Sequence, residues 1–283
     1  MDNSTRPVKR RVVGRNAVDG AGVRLVRVFG DQDVLDFDPF LLMDAFDSRD
    51  PNDYIRGFPW HPHRGIETIT YMIEGNVEHG DSLGNRGTIR NGDCQWMTAG
   101  SGIIHQEMPK PPGRMLGAQI WLNLPARHKM VEPAYGDIVS AGVPCLDDAG
   151  CEVRIIGGMH QGVEGAFQGR YIKPLFLDVS VPTGGTWTLD LDPKHTVYTY
   201  LFSGAGRFDP RSQETTSAKT TLLFGPGRQL RVEADSEPLR FIVLSAPPLG
   251  EPIAWGGPIV MNTREELEHA FGELDAGTFV KHP

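Results

Sequence analysis

The sequence predicts an all-β protein with one short helix near its end. Gly 34 and Pro 22 among 283 residues fall between short runs of Val, Ile, Thr, Tyr and Phe, the pattern of many short strands joined by turns. The alternating segment ETITYMIE (67 to 74) is rich in β-branched and aromatic residues, as a half-buried strand requires. The length admits two domains or one large all-β domain.

Taken in order, Val12 and Val13 run up to Gly14, and Val23, Leu25, Val26, Val28 and Phe29 lie between Gly22 and Gly30, which reads as hairpin strands. Residues 37 to 46, centred on Phe40, Leu41, Leu42 and Met43, form a strand, and the Asp- and Pro-containing stretch from 47 to 53 a surface loop. Gly75 ends the 67 to 74 strand, and HGDSLGNRG (79 to 87) holds two turn clusters. Strand, turn and strand follow at 88 to 90, 91 to 93 and 95 to 97, then a Gly-rich bend at 98 to 102 and strands at 103 to 107 and 117 to 124. The Pro-containing stretch from 125 to 144 carries the expected domain boundary near Val131 to Pro133, dividing the chain into 1–132 and 133–283. Beyond it, 151 to 157, 175 to 181, 186 to 191, 197 to 202, 220 to 224, 228 to 233 and 239 to 245 read as strands. Thr263 with Glu266 three residues later makes a capping box for a helix over 264 to 274 that stops before Gly277.

Two short pairs carry the chemistry: His61 with His63, and His105 with Glu107. Residues at i and i+2 of a strand point the same way, so each pair aims at one place, and pairing the two segments brings three imidazoles and a carboxylate together. That donor set suits iron, manganese, nickel, copper or zinc, and four protein ligands leave an octahedral ion two open positions. Each HxH-type pair is weak evidence by itself; two of them separated by strand-like sequence are harder to attribute to chance. A weak repeat matches Thr70 and Tyr71 to Thr199 and Tyr200, and Gly75 to Gly204. The same offset puts His61 and His63 on Asp190 and Asp192, read as a solvated strand end, so only the first half is expected to bind metal.

A formal net charge of −8 and only one short basic run, Lys9 to Arg11, argue against direct nucleic-acid binding. The N-terminal stretch lacks the apolar run of a signal peptide, and nowhere do 18 apolar residues run together, so no membrane role is expected. Cys94, Cys145 and Cys151 are odd in number and unpaired in spacing, which fits a reducing, cytoplasmic setting. AGSGI around Ser101 is not a nucleophile elbow, and GAGRF (204 to 208) lacks the spacing of a dinucleotide loop.

HPHRGIETITYMIEG followed by GDxQWMTAGSGIIHQEMP, then GAGRF, FGPG and GPxVMNTREE in the second half, closely resembles the pirin family of the cupin superfamily, over nearly the whole chain. The resemblance implies a bicupin of two antiparallel jelly-roll β-barrels with one iron, Fe(2+), in the N-terminal barrel, and maps the ligands onto His61, His63, His105 and Glu107. General cupin motifs offer Glu67 instead, which stays the runner-up; Gly100 stands where that pattern has Pro. Two roles follow from the resemblance. One is a quercetin 2,3-dioxygenase that opens the flavonol heterocycle with dioxygen and releases carbon monoxide, Glu107 taking the proton of the substrate hydroxyl. The other is a noncatalytic, metal-dependent regulatory protein that binds protein partners; a cupin enzyme with another substrate is a third. Phe58, Trp60, Met72, Met97 and Met108 flank the ligands as pocket walls or as ordinary core.

Overall fold

The strand-forming runs pair into antiparallel ladders throughout the structure, a computed structural model that describes residues 5–111 and 113–282. Met1 to Ser4, at the head of the stretch read for a targeting signal, lie outside the described residues. No helix among the described residues is long and apolar enough to cross a membrane.

The chain forms two compact units, each assembled from two segments: Arg15–Ser140 with Leu249–Pro283, and Met1–Gly14 with Ala141–Pro248. The first unit has a seven-stranded sheet in the order Ala134–Ile138, Cys94–Thr98, Ile66–Glu74, Met115–Asn123, Phe40–Ser48, Val23–Phe29, Arg15–Asp19. Its four-stranded sheet runs Phe58–His63, Ile103–Pro109, Val77–Asp81, Arg86–Ile89. The second unit repeats the scheme with seven strands beginning at Val8–Val13 and four beginning at Thr186–Asp190. Its core is filled between the sheets: Trp187, Leu230 and Val232 of the smaller pack with Val153, Leu177 and Phe241 of the larger. The bicupin expectation is met. The single expected cut at 132/133 differs from these units because a strand from the beginning of the chain and a segment from its end each cross over. Neither crossing has a local signal, since strand pairing between distant residues depends on partners that periodicity does not name.

Two sequence expectations shift locally. Val34–Phe37 is one turn of helix, so the apolar strand expected from 37 begins at Phe40. The Pro-containing stretch holds a strand, Ala134–Ile138, that edges the larger sheet against Cys94–Thr98.

The C-terminal segment shapes the site. Its helix, Arg264–Asp275, opens as the capping box requires: Thr263 Oγ1 accepts from the Glu266 N–H at 3.2 Å and a Glu266 carboxylate oxygen accepts from the Thr263 N–H at 3.1 Å. Ala270 of the helix is buried with Ile259, Met261 and Phe279. Thr263→Ala removes that cap and is expected to cost ~1 kcal/mol, read as a small drop in thermal midpoint; an unchanged midpoint would remove the cap from the account.

This segment is bolted to the turn after His63. Arg64, 1% exposed, donates from Nη2 to the Phe279 carbonyl at 2.9 Å, lies 2.8 Å from a Glu273 carboxylate oxygen and stacks 4.2 Å over the Phe279 ring. Buried Lys129 donates to the Gly65 and Val260 carbonyls, both at 2.8 Å, and to the Asn123 side chain. Gly65, at φ +78, has the Val260 carbonyl so close that a Cβ would lie 2.0 Å from it, so only glycine fits. Burial pushes Glu273 upward, but its bonds with Lys281 and Arg64 prevail and hold it at about 2, against an ordinary 4.5. A lowered carboxylate stabilises the fold fully above the unfolded value and loses that contribution as pH falls from 4.5 towards 2. The midpoint difference between wild type and Glu273→Gln is therefore expected to be largest near pH 7 and to close over that window; a gap constant with pH would contradict the ion pairs.

Candidate metal centre

The two sequence pairs meet because their strands are neighbours. Phe58–His63 runs antiparallel to Ile103–Pro109 with His105 opposite His61 and Ile103 opposite His63. Along the second strand, Ile103, His105, Glu107 and Pro109 are buried while Ile104, Gln106 and Met108 are half-buried, so His105 and Glu107 share the inward face as strand parity demands. The register slips between His105 and Glu107, where Glu107 faces Phe58 and Gln106 alone opposes Pro59 and Trp60.

His61, His63 and His105 each bring a ring nitrogen within 4.8 Å of the others. His61 Nδ1 donates to the Pro59 carbonyl at 2.8 Å and His63 Nδ1 to the Pro258 carbonyl at 3.0 Å, which leaves both Nε2 atoms facing inward, 3.1 Å apart. Two donors at right angles on one ion, each about 2.1 Å from it, lie about 3 Å apart, so this spacing suits a shared cation. Both ring nitrogens of His105 are buried with no hydrogen-bond partner among the described residues, a costly state that coordination of one of them would relieve. Burial and then neighbouring His61 push His63 down to about 3, against its bond to Pro258, and burial keeps His105 well below its ordinary value. Neutral imidazoles are the form that binds metals. The residues fit a divalent transition-metal ion.

Glu107 stands beside this group rather than within the tight cluster: its Oε1 accepts from Thr70 Oγ1 at 2.7 Å, and burial raises its carboxyl above the usual range. Glu67, the alternative carboxylate, is fully buried and accepts from Thr98 Oγ1 at 2.7 Å, and it does not line the cavity into which Glu107 looks. Asp190 and Asp192 of the second unit are exposed, as read from sequence.

His61, His63 and Glu107 line a cavity of about 730 Å³ in the first unit, walled by Phe46, Phe58, Trp60, Trp121 and Trp255, while His105 is fully buried and is not among the lining residues. Phe58 and Trp60 therefore line it as expected, whereas Met72 and Met97 are core residues and Met108 is not among the lining side chains. Sequence reasoning missed Trp121, Gln119, Trp255 and Pro258. The first two alternate on one strand face, a period-two signal within GAQIWLNL; the last two come from the returning segment and carry no local signal.

A family model for pirin matches residues 22–122, and one for the pirin C-terminal cupin domain matches residues 176–280. The chain belongs to the pirin family. It is 41% identical over 277 residues to a pirin-like protein of Caulobacter vibrioides, covering 97% of this chain and 99% of that one. It is 43% identical over 280 residues to a Pseudomonas aeruginosa protein named as a candidate quercetin 2,3-dioxygenase, covering 96% and 97% of the two. The crystal structure of a quercetin 2,3-dioxygenase from Acinetobacter baumannii superposes with a TM-score of 0.89 at 30% identity, covering 99% of this pirin and all of that chain.

Proposed function

We propose that the protein is a metal-dependent dioxygenase that cleaves the heterocycle of flavonols such as quercetin and releases carbon monoxide, with iron(II) held by His61, His63, His105 and Glu107 in its N-terminal unit. The observation that carries this reading is the grouping of three imidazoles beside a buried carboxylate, with His61, His63 and Glu107 lining a cavity walled by aromatic side chains. The names borne by the Pseudomonas and Acinetobacter relatives support it.

The metal would act as a Lewis acid that makes the substrate hydroxyl more acidic and brings it to dioxygen. The protein's own residues do the remainder. The tryptophan and phenylalanine walls take a planar aromatic face-on or edge-on and exclude water from it. Glu107 lines the same space and is the group placed to receive the proton of the 3-hydroxyl, its carboxylate held in position by Thr70. The Pro59 and Pro258 carbonyls fix the tautomers and ring planes of His61 and His63, as outer partners of ligating histidines do.

Elemental analysis of protein purified without added metal, followed by anaerobic loading with iron(II) and exposure to quercetin and oxygen, tests the reading. Stoichiometric metal uptake with quercetin loss and equimolar carbon monoxide supports it. Metal without turnover moves the function to the regulatory role or to another substrate, and failure to take up any metal overturns the centre itself.

A further inference from the structure

The cavity has a second group of polar side chains besides the candidate metal ligands. Arg27 and Asp44, from neighbouring antiparallel strands, lie across from each other in register, and both line the cavity together with Asp19 and Asp31. Arg27 donates from Nε and Nη2 to the two oxygens of Asp44 at 2.9 and 2.8 Å, and from Nη2 to Asp19 at 2.7 Å. The Asp44 carboxylate is almost wholly buried, so this is a built charged pair and not a loose surface contact. Nη1 of Arg27 has no protein partner among the described residues.

The charge of this group sets what it can accept. Two carboxylates, Asp44 and Asp19, bond one guanidinium and Asp31 lines the same cavity, leaving an excess of acceptors beside one unused cationic donor. A phenolic hydroxyl fits both: it donates its proton to a carboxylate oxygen and accepts from Nη1–H. A ligand carboxylate can only accept, and it would face uncompensated negative charge in a partly desolvated space. The same cavity is walled by Phe46, Phe58, Trp60, Trp121 and Trp255, so the complementary molecule carries a flat aromatic face.

We propose that the Arg27, Asp44 and Asp19 group of the cavity is a recognition subsite for uncharged phenolic hydroxyls. The ligand class is then a planar aromatic with a chelating hydroxyl at one end and at least one neutral hydroxyl at the other. This rests on the dioxygenase reading for its chelating end, and it adds the residues that choose among such molecules.

The test is binding of three probes to the iron(II)-loaded protein under strictly anaerobic conditions, followed by quenching of tryptophan emission, since Trp60, Trp121 and Trp255 line the cavity. The probes are 3-hydroxyflavone, quercetin, and 3-hydroxyflavone bearing a carboxylate on its 2-phenyl ring. Quercetin is expected to bind about ten-fold or more tighter than 3-hydroxyflavone, the size of one or two hydrogen bonds to charged partners, and the carboxylate analogue more weakly than either. In Asp44→Asn, and independently in Asp19→Asn, the ratio of quercetin to 3-hydroxyflavone affinity is expected to shrink to within about three-fold. If wild type binds all three probes alike, the subsite is wrong while the dioxygenase reading stands, and this arm depends on no variant folding. If none of the three binds, both fall. An undiminished quercetin preference in folded Asp44→Asn and Asp19→Asn also overturns the subsite.

Discussion

Replacing His61 by alanine is expected to abolish stoichiometric metal binding while leaving the β-fold intact. His61 is only half-buried, on a strand whose other residues make the sheet, so its removal opens little void in the core. What it removes is one of two Nε2 donors set 3.1 Å apart. Losing an outer partner of a ligating histidine typically costs 10–100-fold in affinity, so losing a ligand is expected to exceed about 100-fold. Metal titration monitored by elemental analysis gives the affinity, and far-ultraviolet circular dichroism gives the fold. Wild-type metal content in the variant would refute the assignment of this site.

Arg64→Met is expected to have the largest effect on stability. The guanidinium is almost fully buried and holds three things at once: the Glu273 carboxylate, the Phe279 carbonyl and the Phe279 ring. Removing one partner of a buried ion pair typically costs ~3–5 kcal/mol, because the groups left behind lose their compensation. Lys281 still meets Glu273 in the variant, which places the expectation at the lower end, ~3 kcal/mol. The loss is not confined to stability. The segment released by the substitution is the one whose Pro258 carbonyl orients His63, so iron affinity is expected to fall as well, by about ten-fold or more. Denaturant unfolding followed by iron titration at a denaturant-free reference separates the two effects. Native-like stability in Arg64→Met would show that the segment is held by its apolar contacts alone.

Strand parity made much of the site legible in the sequence. His61 with His63 and His105 with Glu107 needed only period-two geometry to be placed on common faces, and the antiparallel ladder set His105 against His61. Parity cannot tell a close donor from a neighbouring one, so it gave Glu107 the same standing as the histidines, although its carboxylate sits beside the tight group with Thr70. Proximity in sequence could not decide between pocket wall and core for Met72 and Met97, and both side chains are buried in hydrophobic clusters. Phe58 and Trp60, read by the same proximity, do line the cavity because the strand they share with His61 forms its edge. The helix start was legible from Thr263 and Glu266 because a capping box is complete within four residues. The return of the chain after Pro248 to the first unit was not, since Trp255 and Pro258 reach the cavity through contacts with residues about two hundred positions earlier.

That return bears on biosynthesis. His63 leaves the ribosome 195 residues ahead of the carbonyl that orients its ring. At about 5–20 residues per second, the nascent N-terminal sheets wait roughly ten seconds or more with their histidines displayed but not fully aligned. Metal captured in that interval would meet a looser donor set than the finished one. The donor arrangement proposed for the ion is thus complete only once the Pro258 carbonyl reaches His63, near the end of synthesis.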